Sequence, residues 1–294
     1  MIYPKFIPCD SPENLRKRVA GLLSVQIDTD CASGQLELPL VTSAKVEAPD
    51  KPPTSSAGEF LDFLVDATPN GDIYLFGGLL RDLALFGRKG FNSDIDIVVD
   101  GGWRNLIPYL THLGARQNKF GGYRLEVDNW PIDIWNARET WAIRQGLVPY
   151  SGIASLTKTT VLNWDAILMN WRTKSFIFKQ KYFEEIANRY LDVVLMENPN
   201  QKGMAVRVFR HLCHKDARKV SVRTIQYLSE CTEKYSFAEL HVAEVASYSS
   251  PIIDSNIYKL FLYTRSSKET DIEQSYNSAG HILERELNIS GLKI

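Results

Sequence analysis

Cysteine is scarce and irregularly placed. The four that occur are Cys9, Cys31, Cys213 and Cys231, and no two form a C-x-x-C pair. That spacing excludes a disulfide framework and makes a reducing compartment, the cytoplasm, the expected location. Long apolar runs are missing as well, and nothing approaches the ~20 residues a membrane helix needs. The opening MIYPKFIPCD has no charged flank followed by an apolar stretch, so no secretory signal is expected. Excess charge is the third absence. The chain has 34 Lys and Arg against 35 Asp and Glu, a net charge of −1. It is therefore no polycation, and a nucleic-acid partner would need a local basic patch. No internal repeat is present.

What is there suffices for a core: 44% of the 294 residues are hydrophobic, enough to fold without a metal or disulfide staple as one large domain or two ordinary ones. Asp10-Ser11-Pro12-Glu13 reads as a helix start within an N-terminal extension over residues 1–43, and AKVEAPDKPPTSSAG (44–58) reads as a linker. Residues 1–57 are thus set apart from the rest of the chain. GEFLDFLVDA (58–67) has helical spacing, and TPNGD (68–72) is a turn. From Asp72 the pattern changes: DIYLF is a strand, Gly77-Gly78 a tight turn, LLRDLALFG a helix and SDIDIVVDG a second strand. WRNLIPYLTHLG (103–114) is helical, and YRLEVDNWPIDIW (123–135) reads as two strands around an Asp128-Asn129 turn. The expected fold class is α+β, a small mixed sheet with helices forming a head over residues 58–150. Beyond Tyr150 a helical region (151–294) is expected, with helices at 179–197, 203–220, 222–233, 237–247, 255–263 and 278–289.

Two aspartates stand one residue apart in the apolar run SDIDIVVDG. Alternation along a strand puts Asp94 and Asp96 on one face and Ile95 and Ile97 on the other. Two such carboxylates repel each other and stay ionised only with a cation between them. Mg²⁺ suits the site, since it takes hard oxygen ligands and fills its other positions with water and phosphate. A second ion needs a third carboxylate, which Asp133 in PIDIW is placed to give. Gly77-Gly78, ahead of a helix, would let backbone N–H groups approach an anion closely. A triphosphate between loop and aspartates would meet donors on one side and metal on the other. Taken singly, a D-x-D pair is commonly a wet strand face and a Gly-Gly a plain turn. Their order and close spacing are what carry the reading.

Gly77-Gly78-Leu79-Leu80-Arg81-Asp82, then Gly87-Arg88, then Asp94-Ile95-Asp96, resembles the signature of class II nucleotidyltransferases. These are the bacterial poly(A) polymerases and CCA-adding enzymes of the DNA polymerase beta superfamily. Asp133 followed by Ala137-Arg138-Glu139-Thr140-Trp141 is similar to the family's next block. The resemblance covers about residues 58–142. It implies that Asp94 and Asp96, with Asp133, bind two Mg²⁺ (Mn²⁺ being an alternative), that the glycine loop holds the NTP triphosphate, and that Arg81 and Asp82 brace loop and helix. Direct contact of that last pair with the nucleotide is the other role implied, and the alternative to both is an ordinary surface ion pair. Arg138 is implied as a phosphate contact, or else as a strand-end partner of an acid such as Glu139. Thr157-Lys158-Thr159-Thr160-Val161-Leu162-Asn163-Trp164 is the nearest match to the family's following block, where only Lys158 and Asn163 agree in kind and are thereby implied as nucleotide contacts. The base-reading block is represented only by Glu197-Asn198-Pro199-Asn200-Gln201. The resemblance therefore implies a kept metal centre and diverged base-choosing parts, rather than a CCA-adding enzyme.

Residues 202–224 carry Lys202, Arg207, Arg210, Lys215, Arg218, Lys219 and Arg223 against Asp216 alone. Arg207, Arg210, His214 and Arg218 recur at helical steps, which makes a phosphate-facing stripe for the NTP or an RNA acceptor, or else a solvated face. Zinc is not expected at His211, Cys213 and His214, because no further Cys/His pair stands nearby. Trp130, Trp135, Trp141, Trp164 and Trp171 are base-stacking candidates, although such residues are more often core. The expected function is transfer of NMP from an NTP (ATP among them) to an acceptor hydroxyl with release of pyrophosphate. By the resemblance the acceptor is an RNA 3′ end, that of a tRNA or another RNA, with no membrane involved. The alternatives are a protein or small-molecule acceptor, and a non-catalytic nucleotide-binding protein.

Overall fold

The structure is a computed structural model that describes residues 5–23, 56–215 and 217–264. Most of the expected linker at 44–58, the expected helix at 278–289, Cys31 and Asp216 lie outside the described residues.

The first helix, α1 (Pro12–Leu22), starts as its sequence dictates, with Pro12 in the first turn and Ser11 accepting the Asn14 N–H. It is no detached extension. Leu15 and Val19 are fully buried in the main core. Just before it, the Ile7 and Cys9 N–H groups donate to the Leu85 and Ala84 carbonyls at 2.8 and 2.7 Å. Those carbonyls belong to the last turn of α3 (Gly78–Phe86), where a helix leaves acceptors unmet. The N-terminal segment thus caps the helix that carries the glycine loop.

Helix α2 (Ala57–Ala67) precedes β1 (Asp72–Phe76). After α3 come β2 (Ile95–Asp100), α4 (Trp103–His112), β3 (Arg116–Gln117), β4 (Tyr123–Val127) and β5 (Trp130–Asn136). Asp128 and Asn129 both have positive φ, 54° and 60°, as a two-residue hairpin turn of the primed type requires. The turn sets the register, pairing Val127 with Trp130 and Arg124 with Asp133.

The sheet is larger than expected. Past the short helix α5 (Trp141–Arg144), the chain adds β6 (Ile167–Asn170) and β7 (Phe176–Phe178), giving the order β3-β4-β5-β2-β1-β6-β7. The pairing β2–β5 is parallel and the others are antiparallel. A physical reason is at hand: without β6, β1 would present an unpaired edge beside the glycine turn.

One sheet face carries Ile73, Leu75, Ile95, Ile97, Ile132, Ile134, Ile167 and Met169 in the main core. The carboxylate face is only partly open, since Tyr74, Phe76, Val98 and Leu168 form a second, smaller core with Ala137 and Leu156.

The region beyond the sheet is less helical than its periodicity suggests. The expected helix 179–197 is only α6 (Tyr182–Ala187). Arg189 takes φ 54°, and the chain turns into β8 (Tyr190–Leu191). The expected helix 203–220 is α7 (Gln201–Cys213), followed by β9 (Lys219–Val220), which pairs with β8. Three further helices, α8 (Val222–Lys234), α9 (Phe237–Tyr248) and α10 (Ser255–Thr264), match their expected positions. No helix among the described residues is long and apolar enough to cross a membrane.

If residues 5–23 belong to the core, Leu15→Ala should cost about 2–5 kcal/mol in urea unfolding, the range for a buried leucine. A loss below about 1 kcal/mol would show a loosely attached helix.

Candidate active site

β1 ends at Phe76, and Gly77 turns the chain with φ 65° and ψ −116°. Its N–H donates to Ile167 O at 3.1 Å, tying the turn to β6. Only glycine takes this conformation without strain. A Cβ at Gly77 would lie 4.0 Å from Asp96 Oδ2 and 3.8 Å from Asp165 O. The loop backbone and the aspartate are therefore neighbours, although they stand 19 positions apart in the sequence. Gly78 opens α3 and packs on Ser93, where a Cβ would stand 3.3 Å away. The first N–H groups of α3 have no acceptor within the helix and face an incoming anion with the positive end of its dipole.

The carboxylates meet across the sheet. Asp96 pairs in register with Asp133 on the parallel neighbour. Asp94 stands just before β2 rather than within it. Burial, then the charge of Asp133, pushes Asp96 up to about 7, with Asp94 and Asp165 adding to the rise and Arg207 opposing it. Burial also raises Asp133, against the pull of Arg124.

Arg124 is the residue that sequence reasoning missed. Its Nη1 donates to Asp133 Oδ2 at 2.9 Å and its Nη2 to Asp94 Oδ2 at 2.7 Å. The signal was present: counting outward from the Asp128-Asn129 turn puts Arg124 opposite Asp133 and on its face. Among the described residues no group of three or more Asp, Glu, His or Cys side chains is preassembled to hold a metal ion. The donor set still fits Mg²⁺, because all three side chains offer hard oxygen and their mutual repulsion is what a cation relieves.

Arg81 and Asp82 are no surface pair. Both are buried, and Arg81 Nε donates to Asp82 Oδ1 at 2.8 Å. Arg81 also bonds Asp165 and reaches Ser93 Oγ at 3.0 Å, while Lys215 Nζ donates to Asp82 Oδ1 at 2.5 Å. Burial alone would raise Asp165, yet Arg81 and Arg207 outweigh it and hold the carboxyl at about 2. Burial and the Arg81 charge bring Lys215 down to about 8, with Asp82 pulling the other way. The network clamps the first turns of α3 to the 163–165 turn and to the end of α7. The bracing role implied for Arg81 and Asp82 has a physical basis here, and Asp165 and Ser93 are partners no local pattern marked.

The other expected site residues divide. Arg207 reaches Asp165 Oδ2 at 3.6 Å and acts on Asp96 through its charge, so it lines the site. Arg210 does not: it pairs with Glu244 at 2.6 Å, donates to Ser250 O at 2.8 Å and stacks on Tyr248. The single basic stripe is absent as well, because α7 stops at Cys213 and leaves Arg218 beyond the helix, while Lys202 pairs with Glu239. Arg138 is exposed and lies over the Tyr150 ring at 4.6 Å, and Glu139 pairs instead with Arg144. Lys158 is exposed at the end of a short 3-10 turn.

Asn163 is not placed as a nucleotide contact. Its amide donates to Glu185 Oε2 and Tyr190 O and accepts from Asp192 N–H, so it fastens the chain around β8. Trp164 and Trp171 are fully buried, and Trp164 Nε1 donates to Tyr190 O at 2.7 Å, which makes both core residues rather than stacking platforms. Trp130 and Trp135 pack on Phe91 and Phe76, and Trp141 sits against a small apolar cluster. His211 is buried against Trp164 with Nδ1 on the Arg207 carbonyl.

No protein-family model matches the chain, and no curated protein matches it. Among solved structures, the chain is similar to a CCA-adding enzyme solved with ATP, at 15% identity and a TM-score of 0.49, over 80% of this chain and 58% of that one. A tRNA-processing enzyme solved with CTP gives 14% identity and a TM-score of 0.48, over 73% and 57%. The Thermotoga maritima CCA-adding enzyme in complex with tRNA gives 18% and 0.45, over 74% and 59%. The chain thus spans under two thirds of each of these proteins.

The raised Asp96 gives a pH signature for the metal-free protein. Between the ordinary carboxylate range near 4 and its folded value of about 7, the native state keeps a proton that the unfolded chain has released. Stability from this group is therefore full at low pH and falls as pH rises toward about 7. In EDTA, Asp96→Asn should gain on the wild type in thermal midpoint between pH 5 and pH 8. An equal gap at both pH values would mean that Asp96 titrates as an ordinary carboxyl.

Proposed function

We propose that this chain is a metal-dependent nucleotidyltransferase that moves NMP from an NTP to an acceptor hydroxyl. The observation that carries the reading is the juxtaposition at Gly77: a glycine turn opening α3, within van der Waals reach of an aspartate that pairs in register with another. Gly77 and Gly78 let the triphosphate approach the unpaired N–H groups of α3. Arg207, about one third exposed and facing Asp165, adds positive charge on the same side. Asp94, Asp96 and Asp133 would hold Mg²⁺, as two ions, or Mn²⁺ in its place. Bound there, the metal supplies charge stabilisation for the transferring phosphoryl group and lowers the pKa of the attacking hydroxyl.

Each side chain then has a task. Asp96, protonated more readily than a free carboxyl because of burial and Asp133, would be held ionised by a cation bound there. Asp133 takes the acceptor hydroxyl proton as the new bond to the α-phosphorus forms. The bond from the α-phosphorus to the bridging oxygen breaks, and pyrophosphate leaves. The buried Arg81–Asp82–Asp165 network keeps loop and aspartates in register without touching substrate.

An RNA 3′ end is the favoured acceptor, as the sequence resemblance implies, with Arg138, Lys158 and Arg223 exposed to contribute to its recognition. A specific observation favours a second reading, a nucleotide-binding protein without turnover: Arg124 already neutralises Asp94 and Asp133.

Incubation with each labelled NTP, Mg²⁺, total RNA and total protein tests the proposal, beside an Asp94→Ala/Asp96→Ala control. Label in RNA that falls at least about a hundredfold in the control is expected, since two groups acting on the transition state are lost. Label in protein would move the acceptor, and nucleotide binding with no label in any fraction would favour the second reading.

A further inference from the structure

Two of the three carboxylates in the cleft are held by a cation of the chain's own. Arg124 stands directly opposite Asp133 in the β4–β5 ladder, and its two terminal nitrogens go to different acids, Asp133 and Asp94. Two facts make it a movable occupant. Its side chain is 52% exposed, so each bridge is weak and shared with water. Its two ion pairs are made by the terminal nitrogens of a long, flexible side chain, whereas Arg81, 4% exposed, is fixed by Asp82, Asp165 and Ser93. Arg124 also cannot yield by losing its proton, because a guanidinium stays charged at every working pH. It yields only by moving.

A bare divalent ion entering this cleft would have to expel the guanidinium and then sit beside it. The displaced charge would be left to water or to Glu126, exposed on the same face of β4, and the two cations would repel. An ion arriving on a polyphosphate brings an anion into the cleft itself. Phosphate oxygens accept a guanidinium in the same forked manner as the two carboxylates do.

Building on the metal site proposed above, we infer that Arg124 makes the cleft reject a free divalent cation and admit one that comes with a polyphosphate, to which the guanidinium transfers. Arg124 is then a specificity-determining residue that couples two binding events. Linkage makes the coupling reciprocal: nucleotide tightens metal by the factor by which metal tightens nucleotide.

The test measures Mn²⁺ binding to the full chain by electron paramagnetic resonance, alone and with a non-hydrolysable α,β-methylene NTP. Wild type, Arg124→Gln, Arg124→Lys and Asp94→Ala/Asp96→Ala are compared, each checked for fold by circular dichroism. Arg124→Gln should bind Mn²⁺ alone about tenfold tighter than wild type, and the metal–nucleotide coupling factor should fall by a similar ratio. Arg124→Lys keeps the charge and should stay nearer the wild type. Mn²⁺ binding that depends on the aspartates but is unchanged or weaker in Arg124→Gln would overturn this inference and leave the metal site standing. Binding in wild type and Arg124→Gln no better than in the double-aspartate variant would overturn both.

Discussion

Like-charge crowding on one face of a sheet is the constraint the rest of this structure answers. The parallel pairing of β2 with β5 puts Asp96 beside Asp133, and the start of β2 adds Asp94. Apolar residues alternate with them into the main core, so the aspartates cannot turn away without burying charge. Each of the nearby cations has its place relative to this cluster. Arg124 bridges the outer pair from the next strand, and Arg207 reaches in from α7.

Beside the partly open cluster lies a fully buried counterpart. Arg81, Asp82 and Asp165 exclude water almost entirely and satisfy one another, with Ser93 and Lys215 filling the remaining positions. Buried ion pairs of this kind contribute little net stability over an apolar packing, yet losing one partner is costly. Their use here is positional. One network joins the glycine helix, the turn before β6 and the end of α7, which are the three elements bordering the cleft.

The parts of the site that were legible in the sequence are those fixed by local geometry. Alternation along a strand is enough to place Asp94 and Asp96 on one face and Asp133 on the matching face of its own strand. A glycine pair ahead of a helix is equally local. Arg124 was legible too, through the hairpin register, but required reading two strands against each other. Asp165 was not: its pairing with Arg81 spans 84 residues of sequence, and no spacing rule reaches that far. Asn163 and Arg210 failed for a different reason. Each has the residue type a nucleotide contact needs, yet tertiary partners, Glu185 and Tyr190 for one and Glu244 for the other, have already claimed the polar atoms. Periodicity over 203–220 misled in the same way, because the charges keep helical spacing after the backbone has left the helix at Cys213.

Insertions and deletions would fall unevenly on this molecule. Between β3 and β4 the chain forms a turn closed by Asn118, whose side chain accepts the Phe120 and Gly122 N–H groups, so an added residue there opens that turn but leaves β4 and β5 in register. The turn at Asp128 and Asn129 is another matter. One more residue would slide β4 by one position against β5, and a strand that slips by one exchanges its faces. Arg124 would then point among Ile132 and Ile134, and Leu125 would stand over the carboxylates. The length of that turn, as much as the chemistry of its residues, keeps a charge out of the core and in the cleft.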